Sequence, residues 1–269
     1  MREWLATLCC RIFHKSQTYW VIEFGGVLVS PSCPMNTYSK IADGLSAWLT
    51  FEQRCGRVNL FSESSLAHPL GQLLQYRYEG RVRAEVEHPV LAPFKTGAGQ
   101  KPRIDFVVDG VGGMYDLVVE TKWVSESPTL LRDVIRDIVR LDLLLGVHAR
   151  EALFVLAGEK RTIARLFSHR QFQPHPQHLS SKHILPLGNH TKASVRFVPI
   201  PQFRRSLYVR VLKPYCGIPV SNSIRVERSG PFPRNASSKS HEVYLWRLIK
   251  HIQGPTFIPE AEYPELAPK

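Results

Sequence analysis

The spacing of apolar residues along the chain changes between two periods, and this change separates helices from strands. Apolar residues three to four positions apart predict amphipathic helices over residues 37–56, from residue 62 onward and over 127–146. A short fourth helix is expected over 161–167. Each helix would bury one face and leave the other to solvent.

Alternating and uninterrupted apolar runs predict the strands that these helices cover. The uninterrupted run at 152–157 is typical of a strand buried on both faces. A strand, a long helix and a buried strand in succession form a βαβ-type crossover, so we expect an α/β fold with a mixed central sheet flanked by helices. Other predicted strands lie at 19–29, 81–91, 194–200, 206–212 and 223–227, with a helix or strand at 241–252.

The stretch 102–124 predicts a β-hairpin that carries charged residues. Two apolar runs flank the glycine pair 112–113, which accepts the positive φ angles of a tight turn. With the turn at these glycines, Asp105 lies opposite Glu120. Strand alternation then places Asp105, Glu120 and Lys122 on one surface, within side-chain reach of one another.

This group of charges suits a metal site. Adjacent carboxylates repel each other unless a cation lies between them, and Mg²⁺ is commonly held by one or two carboxylates while it keeps several waters. Lys122 could hold an attacking water or help to deprotonate it. The alternative is an ordinary hairpin whose outer face is charged and half solvated. Asp109 and Asp116, on the same face but nearer the turn, are expected to be solvated.

Charges on the neighbouring helices matter if they point toward this surface. Glu63 is in phase with the apolar face of the helix that starts at residue 62, so it could point inward, although a solvated position at the positive helix N-terminus is the favoured interpretation of this residue taken alone. The alternating charges of helix 127–146 are interpreted instead as a solvated face of ion pairs. They are Arg132, Asp133, Arg136, Asp137 and Arg140.

Charge restricts the class of partner. The chain has 269 residues and a net charge of +12. Residues 159–269 contain 18 Lys and Arg against 6 Asp and Glu, whereas residues 1–158 contain 17 of each. A basic part attached to a neutral part suggests a polyanion, nucleic acid first and a membrane surface second. Cations interleaved with aromatic residues suit a groove that follows a nucleic-acid backbone, and the candidate contacts are Arg196, Arg204, Arg205, Arg210, Lys213, Arg225 and Arg228.

Other features indicate a protein of a reducing cytoplasm without a membrane partner. Five cysteines lack a Cys-x-x-Cys pair, which favours neither a disulfide framework nor structural zinc. The start lacks a signal-peptide pattern, and the apolar run 19–29 is too short to span a bilayer. Irregularly spaced histidines over 169–190 favour a partly cationic loop over a metal site. The acidic tail from Pro259 is expected to be disordered or a surface strap.

Charged residues at three successive places along the chain resemble the motif of a known family. Glu63 lies in a Glu-x-x-Leu-x-x-x-Leu helix, Asp105 on a strand, and Glu120-Thr121-Lys122 on the next strand. This order resembles the PD-(D/E)XK, or restriction-endonuclease-like, nuclease superfamily, in which a helical acid precedes strands bearing Asp and then Glu-x-Lys. The resemblance covers residues 62–158, with Ile104 rather than proline before Asp105.

The resemblance implies Mg²⁺-dependent phosphodiester hydrolysis, in which Mn²⁺ can substitute. Asp105 and Glu120 would bind the metal, with the Thr121 carbonyl as a further ligand. Lys122 would orient or activate water, and Glu63 would contact a second metal or a metal-bound water. Residues 62–168 would form the nuclease core after an N-terminal region, 1–61. A basic, β-rich extension, 169–269, would bind nucleic acid, either separately or continuous with the core.

The expected function is therefore a DNA endonuclease of a restriction, phage-defence or mobile-element system, acting as a homodimer or in a larger defence complex. A non-catalytic nucleic-acid-binding subunit that keeps the fold is one alternative. A structure-specific or RNA-directed nuclease is another, with the same chemistry on a different substrate.

Overall fold

The computed structural model describes residues 34–95, 98–174, 183–187, 192–199, 202–234, 240–249 and 255–267. Residues Tyr38–Lys269 form one compact unit, and Met1–Thr37 divide off as another. The strand expected at 19–29 lies outside the described residues. Within the described ranges, we find no helix with the length and apolar character needed to cross a bilayer.

The helices and strands follow one another in the order that the sequence predicts as far as β4. The described α-helices are α1 (Pro34–Arg54), α2 (Glu63–Tyr78), α3 (Leu130–Leu144), α4 (Lys160–Ser168), α5 (Arg205–Leu212) and α6 (Pro259–Glu262). The described strands are β1 (Val82–Glu87), β2 (Arg103–Asp109), β3 (Tyr115–Val124), β4 (Ala149–Glu159), β5 (Lys192–Arg196), β6 (Val220–Ser221), β7 (Ser223–Phe232), β8 (His241–Ile249) and β9 (Thr256–Phe257).

Seven strands form one mixed sheet in the order β1-β2-β3-β4-β8-β7-β5, and β6 pairs with β9 separately. Only β3 and β4 are parallel among the described neighbours in the large sheet, and α3 connects them. The predicted mixed sheet and crossover are therefore confirmed. The described strands β8, β7 and β5 continue the large sheet beyond β4.

Alternate residues of the central strands face two different hydrophobic cores. Val119 packs in a core with α1 and α2, whereas its neighbour Val118 packs in a core with α3 and α5. Val107 on β2 joins the second core and is fully buried. The part of this face that carries Val107, Val118 and Glu120 is therefore buried, whereas Asp109 and Asp116, nearer the turn, remain partly exposed.

The hairpin itself follows the predicted geometry. Phe106 pairs with Val119 and Val107 with Val118, and the continuation of this antiparallel register brings Asp105 opposite Glu120. The connection is a single 3₁₀ turn, Val111–Gly113, in which Gly112 has a φ of 75°. A side chain other than glycine is strained at that angle, which explains the glycine pair.

One expectation for the C-terminal part is wrong, and the tail from Pro259 fits the second of its two alternatives, a surface strap. Residues 206–212 form helix α5 rather than a strand, since Leu207, Tyr208, Val211 and Leu212 are buried at helical spacing. Aromatic and β-branched residues at these positions resemble a strand locally, but their burial pattern is that of one helix face. The tail from Pro259 is packed: Tyr263 is fully buried, and its hydroxyl donates a hydrogen bond to the Phe197 carbonyl at 3.0 Å.

Candidate active site

The four side chains that the sequence singles out lie together at one end of the hairpin. Lys122, near the end of β3, is the centre of the group. Its Nζ lies 3.0 Å from the carboxylate of Glu63, the first residue of α2. It also lies 3.2 Å from Oδ2 of Asp137 on α3. The ammonium group therefore connects both helices to the strand that carries Glu120.

Asp105 is oriented by the neighbouring strand. Its Oδ2 accepts hydrogen bonds from the Thr121 amide at 2.6 Å and from the Thr121 hydroxyl at 2.7 Å. These two donors fix the direction of the carboxylate. The amide and hydroxyl of Thr121 thus have an observed role, while a role for its carbonyl stays a prediction.

Glu120 is a buried carboxylate, with only 2% of its side chain exposed. Its Oε1 lies 3.0 Å from a guanidinium nitrogen of Arg140, but without hydrogen-bond geometry, and this buried oxygen has no hydrogen-bond donor among the described residues. Burial raises the pKa of Glu120 well above its ordinary value; Arg140 opposes this, and Asp137 and Asp105 add to it. The site therefore holds an acceptor whose desolvation is only partly offset.

Asp137, on α3, is a second buried carboxylate in an environment like that of Glu120. Its side chain is 8% exposed, and its Oδ2 lacks a hydrogen bond despite the nearby Lys122. Burial raises the pKa of Asp137 to about 6, against the opposing effects of Lys122 and Arg140. Burial alone would lower the pKa of Lys122, but the carboxylates of Asp137 and Glu63 outweigh it and raise the pKa. Lys122 is therefore a stable cation among three carboxylates.

The sequence interpretation of helix α3 is wrong for two of its charges. Asp137 and Arg140 were expected on a solvated face, but they point into the sheet and contact Lys122 and Glu120. Asp137 is in phase with buried Val134 and Leu141, the same signal that distinguishes Glu63. Expectation and structure agree for Arg132 and Arg136, which pair with the partly exposed Asp133 at 2.9 and 3.7 Å.

A cleft with a volume of about 570 Å³ is lined in part by Lys122, Asp137 and Arg140, and we call it the active-site cleft; Asp105, Glu120 and Glu63 are not among its lining residues. Four cations and two carboxylates contribute to its lining, so its charge is positive. A concave cationic surface attracts a polyanion and raises its local concentration. The charged lining residues are Lys95, Lys122, Asp133, Arg136, Asp137 and Arg140.

The donor atoms at this site suit a hard divalent cation. In the described ranges there is no group of three or more His, Cys, Asp or Glu side chains already placed as metal ligands. Mg²⁺ needs only one or two carboxylates because water supplies its other ligands. The Oε1 atom of Glu120 is a buried oxygen without a hydrogen bond. The negative charges of Asp105 and Asp137 are near enough to raise the pKa of Glu120. An added cation stabilises a buried oxygen of this kind more than a solvated one, because the effective dielectric constant around it is lower.

The basic residues predicted to contact nucleic acid divide into two groups. Arg204 and Arg228 are 6% and 5% exposed. Arg204 donates to the carbonyls of Gln171 and Gln173, and Arg228 donates to that of Gly230. These two arginines stabilise the fold and lie too deep for direct contact with a nucleic acid. Arg205 is half-buried and pairs with Glu265, whereas Arg196, Arg210, Lys213 and Arg225 are exposed.

His88, a further buried residue, anchors the helix turn that carries Arg140. Its Nδ1 accepts hydrogen bonds from the amides of Val90 and Leu91 at 3.3 and 3.2 Å. Its Nε2 therefore carries the hydrogen, which it donates to the Arg140 carbonyl at 3.1 Å. Burial lowers the pKa of His88 to about 4.

Comparison with known proteins identifies no relative: no family model, no curated protein and no solved structure matches the chain. Function must therefore be inferred from the side chains that the fold brings together. Those side chains are three carboxylates and two cations of the sheet and α3, with Glu63 at the start of α2.

We predict that Arg140→Met lowers the free energy of unfolding by about 3–5 kcal/mol, because it leaves Glu120 buried without a counter-charge. Urea denaturation measures this change. Arg132→Met is the matched control, since the pair that it removes is about 30% exposed and contributes less than about 1 kcal/mol. Adding Glu120→Gln to Arg140→Met should recover part of the loss. Equal costs for the two arginine variants would contradict a buried ion pair.

A second prediction concerns pH. The folded pKa of His88, about 4, lies below its ordinary value of 6.5, so the unfolded chain takes up the proton first as pH falls. The stabilisation by neutral His88 is complete above pH 6.5 and is lost between 6.5 and about 4. It amounts to about 3 kcal/mol.

Urea denaturation of wild type and His88→Gln across this range isolates that effect, because Asp137 and Asp142, with raised pKa values, change stability in the opposite direction in both proteins. The stability difference between the two should shrink as pH falls. Exposed His169→Gln is the control and should give a constant difference. A constant difference for His88→Gln as well would show that His88 is not a buried neutral base.

Proposed function

We propose that this protein is a Mg²⁺-dependent nuclease of the PD-(D/E)XK kind, which hydrolyses phosphodiester bonds in nucleic acid. The observation that carries the proposal is the convergence of Asp105, Glu120 and Lys122 with the helical Glu63 beside a cation-lined cleft. Carboxylates alone would repel a phosphate. The carboxylates suit a metal ion and the cationic cleft next to them attracts a polyanion, so together they suit a site that must hold both.

The order of elements supports a restriction-endonuclease-like core. Helix α2 begins with Glu63, the second strand after it carries Asp105, and the third carries Glu120 and Lys122. Helix α3 then crosses to the parallel strand β4. This is the sequence of elements that the superfamily resemblance implies, with each acid on the expected element.

The metal would be held by Asp105 and Glu120, with the Thr121 carbonyl as a predicted further ligand and Mn²⁺ as a substitute for Mg²⁺. When bound, Mg²⁺ lowers the pKa of a coordinated water and neutralises charge that develops on the phosphate. The amide and hydroxyl of Thr121 keep Asp105 directed toward this position. Arg140 limits the repulsion between Glu120 and Asp137 before substrate arrives.

Lys122 is suited to hold the attacking water. Its ammonium group is fixed between Glu63 and Asp137, so its position is set before substrate binds. Because its pKa is raised, it acts as a hydrogen-bond donor to water rather than as a base. The role of proton acceptor then falls to a carboxylate or to solvent. Glu63, which is 46% exposed, is placed to contact a metal-bound water.

The proposed substrate is DNA, bound along the active-site cleft. Lys95 and Arg136 line this cleft, and exposed Arg196 and Arg225 lie on neighbouring strands of the sheet edge. A cytoplasmic role in restriction, phage defence or a mobile element, as a homodimer or a larger complex, rests on family analogy. A structure-specific or RNA-directed nuclease would use the same residues.

One observation favours the second candidate, a nucleic-acid-binding subunit without catalysis. Arg140 and Lys122 already pair with Glu120 and Asp137, so these two buried carboxylates have counter-charges without a metal. A degenerate nuclease could retain such a network for stability. The presence of Asp105, Glu120 and Lys122 together favours the active enzyme.

We predict Mg²⁺-dependent cleavage of nucleic acid that falls by about 100-fold or more in Asp105→Asn, Glu120→Gln and Lys122→Met, since each removes a charge at the reacting phosphate. Nucleic-acid binding should persist in these variants. Plasmid nicking and cleavage of labelled single-stranded DNA and RNA measure activity, and added EDTA should abolish it.

Asp109→Asn is the matched control. Asp109 lies on the same strand as Asp105, but it pairs with Arg83 at the surface, so activity should be unchanged. Equal activity of wild type and Glu120→Gln on all three substrates would refute the nuclease assignment. Binding without cleavage by the wild-type protein would support the non-catalytic subunit.

A further inference from the structure

A second cleft, with a volume of about 500 Å³, begins one residue beyond Lys122, and we call it the aromatic cleft. Trp123, Phe61 and His241 line it. Trp123 packs with the core on the α1 and α2 side of the sheet, whereas Lys122 contacts α3. Phe61 lies two residues before Glu63, so two walls of the aromatic cleft are chain neighbours of the candidate active site.

The three rings form a surface suited to stacking. Trp123 and His241 are inclined by 30° with centroids 5.7 Å apart, and Phe61 meets His241 edge-on at 4.7 Å. Trp123 and Phe61 remain partly exposed. The Nδ1 atom of His241 lies 3.2 Å from Oε1 of Gln53, which orients the imidazole. Burial lowers the pKa of His241, so this ring is neutral near pH 7, and with 9% exposure it supports the other two rings from behind.

The aromatic cleft and the active-site cleft differ in charge. The described residues that line the aromatic cleft include Glu126 and Glu159 but no Lys or Arg. Glu126 is paired with Arg165 at the rim. Carboxylates repel phosphate, but they accept hydrogen bonds from the exocyclic amino groups of bases. The cationic cleft therefore suits the phosphate backbone of a nucleic acid, and the aromatic cleft suits a base.

We propose that the aromatic cleft binds one unstacked base of the strand whose phosphate lies in the active-site cleft. This inference rests on the proposed function, because it takes the nucleic-acid strand to be bound in the active-site cleft. A base within a duplex is stacked on both faces and cannot enter. The protein therefore acts on single-stranded or locally opened nucleic acid, or extrudes the base. Glu159 favours a base with an exocyclic amino group, such as cytosine or adenine, over thymine or uracil.

Binding of short single-stranded DNA, measured with Ca²⁺ in place of Mg²⁺, tests this inference apart from cleavage. An abasic residue is moved through the oligonucleotide one position at a time. One position should weaken binding to the wild-type protein by about tenfold or more, the effect of losing one stacked base. The flanking positions should have much smaller effects. Restoring thymine at that position should recover less affinity than restoring cytosine.

Two ring variants and a control identify the cleft as the cause. Trp123→Leu should weaken binding of the intact oligonucleotide by a similar factor and remove the sensitivity to the abasic position, whereas Trp123→Phe should keep both. Tyr76→Leu removes a ring that is 82% exposed on α2 and does not line the cleft, so it should behave like wild type. Circular dichroism checks the fold of each variant. If Trp123→Leu is unfolded, the abasic scan of the wild-type protein decides alone.

Equal weakening at every abasic position would overturn the base site, as would Trp123→Leu binding like the Tyr76→Leu control. Competition by tetramethylammonium without any abasic dependence would overturn it too, and would identify a cation cage. All three results leave Mg²⁺-dependent cleavage untouched. A position-specific abasic effect in a protein that never cleaves would instead keep the base site and reject the nuclease chemistry.

Discussion

Glu120 is buried at the middle of a sheet, and the ion pair with Arg140 that compensates this burial sets the relation between β3 and α3. A desolvated carboxylate is costly, and the Coulomb attraction of a nearby guanidinium offsets this cost only when the geometry is well defined. Helix α3 brings Arg140 within 3.0 Å of Glu120 and Asp137 within 3.2 Å of Lys122, but the nearest carboxylate oxygens accept no hydrogen bond, so the cost is only partly offset. His88 fixes the turn of the helix from the other side. An apolar pair of similar volume would hold the helix equally well, so function explains the charges better than stability does.

The same ion pairs keep the charged residues at the end of the hairpin apart from the aromatic residues that follow them. The carboxylates of Asp105, Glu120 and Asp137 converge where α3 covers the sheet, and cations surround them. Beyond Lys122, β3 continues to Trp123 and leaves this charged region for an aromatic one. Consecutive residues of one strand therefore reach two clefts with different chemistry. This is a direct consequence of the alternation of side chains along a strand.

Local pattern predicts the parts of this arrangement that depend on neighbours in sequence. The glycine pair 112–113 specifies the turn, and the turn specifies that Asp105 lies opposite Glu120. Ser62 predicts the start of α2, where its side chain accepts a hydrogen bond from the Ser65 amide. These features follow from backbone geometry over short distances, so one sequence suffices to derive them.

Features that depend on docking could not be derived in this way. Asp137 and Arg140 have spacings that suit both a solvated ion pair and an inward-facing one, and only the approach of α3 to the sheet decides between them. Arg204 and Arg228 appear as surface cations in sequence, but both are buried: Arg204 donates to the Gln171 carbonyl of a distant segment, and Arg228 donates to the Gly230 carbonyl two residues along the chain. The insertion of β8 between β4 and β7 is likewise a long-range pairing.

The central claim is that the buried carboxylates form a divalent-cation site rather than a purely structural network. Isothermal titration calorimetry of Mg²⁺ and Mn²⁺ into the protein without nucleic acid tests it most directly. Our account predicts saturable binding by wild type and Asp109→Asn, and loss of that binding in Asp105→Asn and Glu120→Gln. Folded Glu120→Gln protein that binds either ion as wild type does would contradict it.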